Sequence, residues 1–183
     1  MITQLIVLAT LALLTGADIM AQSEKTPATS VKVGDMVPDF TLPYATKDTV
    51  VFDGLSSKEL LGKRYLLAFY PADWSGGCTK EMCTFRDDIK ELEGLNVEVL
   101  PVSADLVYSH HEWAKALNLP FKLLADQTRS FGTAMGVYMA DRGMMKRSVF
   151  VIGPDGKIQY ANDNYSVKDG TDLAALKAFL ASK

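Results

Sequence analysis

Cys78 and Cys83 are the only cysteines in the chain, five positions apart in Cys78-Thr79-Lys80-Glu81-Met82-Cys83. Cys78 comes directly after Gly76-Gly77, which follows a short apolar run at 65–70 (YLLAFY). From Cys78 onward, Met82, Phe85, Ile89 and Leu92 recur at spacings of three and four, the period of a helix with one buried face. A helix start carries free N–H groups whose partial positive charge favours an anion. The pattern therefore sets Cys78 up as a nucleophilic thiolate. An inert core cysteine is the plain alternative, but it would not need two glycines that let the backbone approach closely. Two cysteines by themselves build neither a disulfide scaffold nor a four-thiolate zinc site. The only histidines, His110 and His111, open a later helix and read as solvated or half-buried. Trp74, Trp113 and Phe131 read as core or rim packing. No glycine-rich phosphate loop and no haem or flavin motif occurs, so the chemistry expected is that of thiols alone, without cofactor or metal.

The elements that must position Cys78 follow from patterning. The run at 65–70 has the length of a buried strand and ends at Pro71. Residues 97–102 form a second. A helix capped by Ser109, with Glu112 completing a capping box, carries Trp113, Ala116 and Leu117. Residues 121–124 form a short strand. Thr128 caps a helix to Met135 that Gly136 ends. Residues 148–152 and 157–161 flank Pro154-Asp155-Gly156 as a hairpin. Residues 171–180 close the chain as a helix with Leu173, Leu176 and Leu180 inward. Strands alternating with helices predict an α/β fold of thioredoxin-like outline: a central mixed sheet with helices on both faces.

The length, 183 residues, suits one domain plus an appendage. At 48% hydrophobic and 22% charged the composition is that of a soluble globular chain, and a net charge of −3 without any basic run argues against a nucleic-acid partner. Residues 1–17 lack charged side chains, and 5–14 (LIVLATLALL) are almost wholly apolar. That stretch is long enough for a secretory signal and short for a membrane span. Small residues from Thr15 to Ala21 offer cleavage points after Ala17 or Ala21. The expected organisation is a signal peptide at 1–21, a linker at 22–32 (polar, small, one proline) and a domain at 33–183. The expected location is outside the cytoplasm, periplasmic or equivalent. Retention of the first segment as a membrane anchor is the alternative, because it has no Lys or Arg before the apolar run.

One further pattern links distant positions. Pro71, Ser75 and Cys78 form Pro-x-x-x-Ser-x-x-Cys, and Arg147 precedes the strand before Pro154-Asp155-Gly156. Val33-Gly34-Asp35, Pro38-Asp39-Phe40-Thr41-Leu42, Val102-Ser103, Leu123-Leu124-Ala125-Asp126 and Gly136-Val137 accompany it. Over residues 33–182 the chain resembles the peroxiredoxins, the alkyl-hydroperoxide-reductase and thiol-specific-antioxidant group. The resemblance implies a peroxidase in which Cys78 attacks a peroxide and becomes a sulfenic acid. It implies that Arg147 stabilises thiolate and peroxide, that Ser75 and the Cys78 N–H hold the peroxide oxygens, and that Pro71 shields the sulfur. Serine replaces the commoner threonine at 75 and lacks the β-branch that fixes the rotamer. Glu81 is also a family position.

The placing of Cys83 resembles the bacterioferritin-comigratory, or Q-type, members, in which such a cysteine resolves the sulfenic acid as an intramolecular disulfide. On a regular helix the two Cα atoms would lie roughly 8–9 Å apart. A disulfide tolerates about 7 Å at most, so the first turn must unwind. If Cys83 is core packing instead, the enzyme is a one-cysteine type. The implied partners are a peroxide substrate and a thioredoxin-like protein reductant, and the implied assembly is a monomer or homodimer. Two other thiol functions remain as alternatives. An exported thioredoxin-like disulfide reductase would carry Cys-x-x-Cys, and a Sco-type copper-binding protein Cys-x-x-x-Cys; neither spacing is present.

Overall fold

Alternation along one buried strand organises the molecule. In β3 (Tyr65–Phe69) every residue is buried, and successive side chains enter opposite layers. Leu66 and Ala68, with Tyr70 beyond the strand, join Cys78, Met82, Phe85, Trp113 and Leu176 in one layer. Tyr65, Leu67 and Phe69 join Phe40, Leu100, Phe131 and Phe150 in the other. The computed structural model describes residues 31–182. The proposed signal peptide and almost all of the linker lie outside the described residues.

The described elements are β1 (Thr41–Ala45), β2 (Val50–Ser56), a 3-10 turn (Ser57–Leu60), β3, α1 (Gly76–Asp87), α2 (Ile89–Gly94), β4 (Glu98–Ser103), α3 (Val107–Leu117), β5 (Leu123–Ala125), α4 (Ser130–Ala134), β6 (Tyr138–Met139), β7 (Met144–Met145), β8 (Ser148–Ile152), β9 (Ile158–Asn162) and α5 (Thr171–Ala181). The main sheet runs β2-β1-β5-β4-β3-β8-β9. β3, β4 and β5 are parallel, joined by helical crossovers. β8 is antiparallel to both β3 and β9. Residues of α1, α3 and α5 lie in the first layer, and residues of α4 in the second. The mixed sheet with helices on both faces is thus the thioredoxin-like α/β fold that the pattern predicts.

Several local expectations need correction. β1 and β2 form a hairpin where the sequence shows no clean alternation. Pro43 interrupts β1 at a register shift between Leu42 and Tyr44, a bulge that tolerates the missing donor. Gly54 crosses it with φ +81°, where a Cβ would meet the Leu42 carbonyl. The single helix expected from Cys78 to Leu92 breaks at Asp88 into α1 and α2. α3 begins at Val107, because that side chain is buried, so Ser109 lies inside the helix and Glu112 pairs with Lys115 instead of capping. Ala116, expected inward, is exposed. Thr128 does not cap α4: Arg129 occupies that position in the left-handed region, and Asp126 accepts the Gly132 N–H at 2.7 Å.

Candidate active site

β3 delivers the chain to the site. After Tyr70 it turns through half-buried Pro71 and Ala72, buried Asp73 and exposed Trp74, the last in the left-handed region (φ 62°). Ser75 then caps α1. Its hydroxyl accepts the Cys78 N–H at 3.4 Å and donates to the Ala72 carbonyl at 3.1 Å. The Ser75 hydroxyl and the Cys78 N–H, the two groups expected to hold the peroxide oxygens, are thus bonded to each other. Cys78 is the third residue of the helix and is fully buried in the first layer.

Arg147 arrives from a different element. It directly precedes β8, whose register pairs Ser148 with Phe69 at the end of β3, so it emerges beside the turn that carries Cys78. Its Nη2 donates to Cys78 Sγ at 3.2 Å. Its Nη1 donates to Glu81 Oε2, one turn further along α1. The Glu81 side chain is 1% exposed, and its Oε1 has no partner in the protein. Gly77 makes this approach possible, because a Cβ there would stand 3.3 Å from Arg147 Nη2. Gly76 faces open space.

Cys83 is a free, half-buried thiol on α1. The helix is unbroken from Gly76 to Asp87, so the spacing argument for unwinding applies to it as it stands. On the other side of α1, Tyr165 stacks on Phe85 with ring centroids 6.3 Å apart. Burial, followed by the charge of Asp172, pushes the Tyr165 hydroxyl well above the ordinary phenol range.

The structure also gathers residues that the sequence reading left aside. His110, expected to be solvated or half-buried, is fully buried. Its Nδ1 lies 2.9 Å from Asp73 Oδ2 and its Nε2 lies 3.3 Å from the Leu124 carbonyl. The Tyr70 hydroxyl donates to Asp73 Oδ1 at 2.8 Å, and burial, then the Asp73 charge, drives its pKa upward. Asp105 accepts both the Asp73 N–H and the Ser103 hydroxyl. Trp74, expected in the core or at its rim, is 57% exposed, with its indole N–H on Ser109 Oγ at 3.2 Å. His111 stays half-buried, as expected, against the Thr46 carbonyl. A cavity of about 500 Å³ lined by Arg64, Val97, Glu98 and Lys122 lies at the opposite, N-terminal ends of β3 and β4. It takes no part in this chemistry.

The arrangement is a buried sulfur at a helix start with a guanidinium on it, suited to stabilise negative charge on sulfur and on a leaving oxygen. The AhpC/TSA family model matches residues 33–161. The peroxiredoxin bcp of Coxiella burnetii is 38% identical over 136 residues, which is 70% of this chain and 86% of that protein. The solved peroxidoxin BcpB of Mycobacterium tuberculosis superposes with a TM-score of 0.70 at 30% identity, over 83% of this chain and 97% of that one. The AhpC of Enterococcus faecalis gives a TM-score of 0.73 at 28% identity, over 82% and 91%. The chain belongs to the AhpC/TSA family, the peroxiredoxins, and is an oxidoreductase of the thiol peroxidase type.

Proposed function

We propose that the protein reduces hydrogen peroxide and organic hydroperoxides at Cys78, with Cys83 as its internal resolving thiol. The observation that carries this reading is the Arg147 donor 3.2 Å from a buried helix-start sulfur. The Cys78 thiolate attacks one peroxide oxygen, the O–O bond breaks, and the second oxygen leaves with its electron pair and takes a proton. Arg147 stabilises the negative charge before and during this step. In this reading Pro71 shields the sulfur from water, and Ser75, bonded to the Cys78 N–H, caps the helix start that carries it. The sulfenic acid, after the first turn of α1 unwinds, is attacked by the Cys83 thiolate, which releases water and forms the disulfide. A thioredoxin-like protein reductant returns both thiols by exchange.

The disulfide-reductase alternative is weaker because Cys83 is five positions away and not at the helix start. The copper-binding alternative is weaker because a cationic guanidinium occupies the Cys78 sulfur. We further propose export through residues 1–21 and a monomeric or homodimeric mature chain. Mass measurement on protein from the cell envelope should then find a chain beginning at residue 18 or 22; an intact Met1 would point to a retained anchor.

The primary test is intact mass and free-thiol count after one equivalent of hydrogen peroxide. A loss of about 2 mass units with both thiols consumed and no cross-linked dimer is expected. A gain of about 16 units with Cys83 free would leave the peroxidase and remove the resolving role. No product within seconds would overturn the reading.

A further inference from the structure

The loop between β3 and α1 hangs from a buried polar cluster that the reaction at Cys78 does not touch. Asp73 and His110 have side chains 1% and 0% exposed, 37 residues apart in sequence and 2.9 Å apart in space. The Asp73 carboxylate also takes the Tyr70 hydroxyl at 2.8 Å, and the Asp73 N–H goes to Asp105 at 2.9 Å. Trp74 adds its indole N–H to Ser109. Two consecutive loop residues are thereby tied to the end of β3, to the turn after β4 and to α3. His110 is itself fixed from behind by the Leu124 carbonyl of β5. A buried network with its donors and acceptors paired is stiff. The next residue is Ser75, the cap, and Cys78 stands three positions further on.

Arg147 comes from β8 and is not held by this network. The Sγ–guanidinium distance therefore depends on where β8 delivers Arg147, on Glu81 of α1, which also holds the guanidinium, and on where the clamped loop starts α1. We propose that the buried Asp73–His110 contact positions Cys78, holding the loop so that its sulfur meets Arg147. Asp73 and His110 are positioning residues, since neither touches the sulfur. The inference rests on Cys78 being the attacking thiol.

The test is stopped-flow fluorescence of the full chain mixed with hydrogen peroxide, with Trp74 in the clamped loop as reporter. The rate constant of the phase that scales with peroxide is the quantity read. His110→Phe keeps a ring and removes both ring nitrogens; His110→Asn retains an amide donor for Asp73. His110→Phe should slow this phase about tenfold, because a small displacement of a reacting group is costly, and His110→Asn should stay within about threefold of wild type. A folded His110→Phe at the wild-type rate overturns the inference. So does His110→Asn as slow as His110→Phe, which would assign the effect to ring packing. If His110→Phe does not fold, Tyr70→Phe removes a single arm of the cluster. It should then slow the phase about threefold, and the wild-type rate there overturns the inference. A wild-type chain with no peroxide-dependent phase overturns the peroxidase reading itself, a result independent of any variant.

Discussion

Arg147 serves two neighbours that want different things from it. As the proposed attacking thiol, Cys78 needs a donor at its sulfur, and Glu81, almost fully buried, needs a counter-charge. Removing the guanidinium should therefore act twice. Arg147→Met should slow peroxide reduction by about 10²–10³, the usual loss for one donor aimed at developing charge. It should also cost about 3 kcal/mol of stability, because it strands a buried carboxylate. Adding Glu81→Gln should restore most of the melting temperature and little of the rate. Rate and stability recovering together would mean that Arg147 is only structural. Gly77 offers the converse separation. Gly77→Ala places a methyl 3.3 Å from Arg147 Nη2 while improving helix propensity by up to about 1 kcal/mol. The expected variant is at least as stable as wild type and several-fold slower with peroxide, read by thermal melting beside single-turnover kinetics. At this scale the sequence was legible where motif spacing is fixed, at Cys78 and Arg147. It was silent on His110, because nothing local announces a partner at Asp73 on another element.

The joint between α1 and α2 is held from outside. Lys177 on α5 reaches Asp88 at 2.9 Å and Glu91 at 2.8 Å. Burial opposes its charge, but hydrogen bonds and attraction from Glu91 and Asp88 outweigh this and raise its pKa. A group whose folded pKa is raised contributes stability below its unfolded pKa and loses it as pH climbs through the folded value. Lys177→Met should thus cost about 0.5–1 kcal/mol at neutral pH. The difference from wild type should vanish only above the ordinary lysine value of about 10.4. Denaturant unfolding at pH 7 and above pH 11 measures both ends, and a difference that persists at high pH would mean alkyl packing, not charge. Elements with both faces buried were plain in the sequence: β3 and β8 read as unbroken apolar runs, and the α5 leucines recur at helical spacing. β1 and β2 were not legible, since an edge hairpin with Pro43 and exposed Phe52 lacks clean alternation. The break at Asp88 also escaped, because Ile89 and Leu92 continue the helical period across it.

Across the whole molecule, the sheet separates two apolar layers, and only one of them contains Cys78. The proposed disulfide must draw the first turns of α1 out of that layer, with Met82 among the side chains affected. Exposing one such side chain costs about 1.5–3 kcal/mol, which is small enough for a local opening while the domain stays folded. β3, β4 and β8 are fastened by ladders on both sides and by the second layer, which the opening does not touch. The loop at 73–74 is fastened by its own polar cluster. The disorder produced by oxidation should therefore have sharp edges. Amide hydrogen exchange on the disulfide form should rise by orders of magnitude at residues 78–83, the first bonded amides of α1, relative to the reduced form. The Asp73 amide, held on Asp105, and the three central strands should keep their protection. Exchange that spreads into β3 would mean that the two layers do not stabilise the sheet independently of α1. Unchanged exchange at 78–83, with the disulfide verified by mass, would mean that the bond forms on an intact helix and that the spacing argument fails.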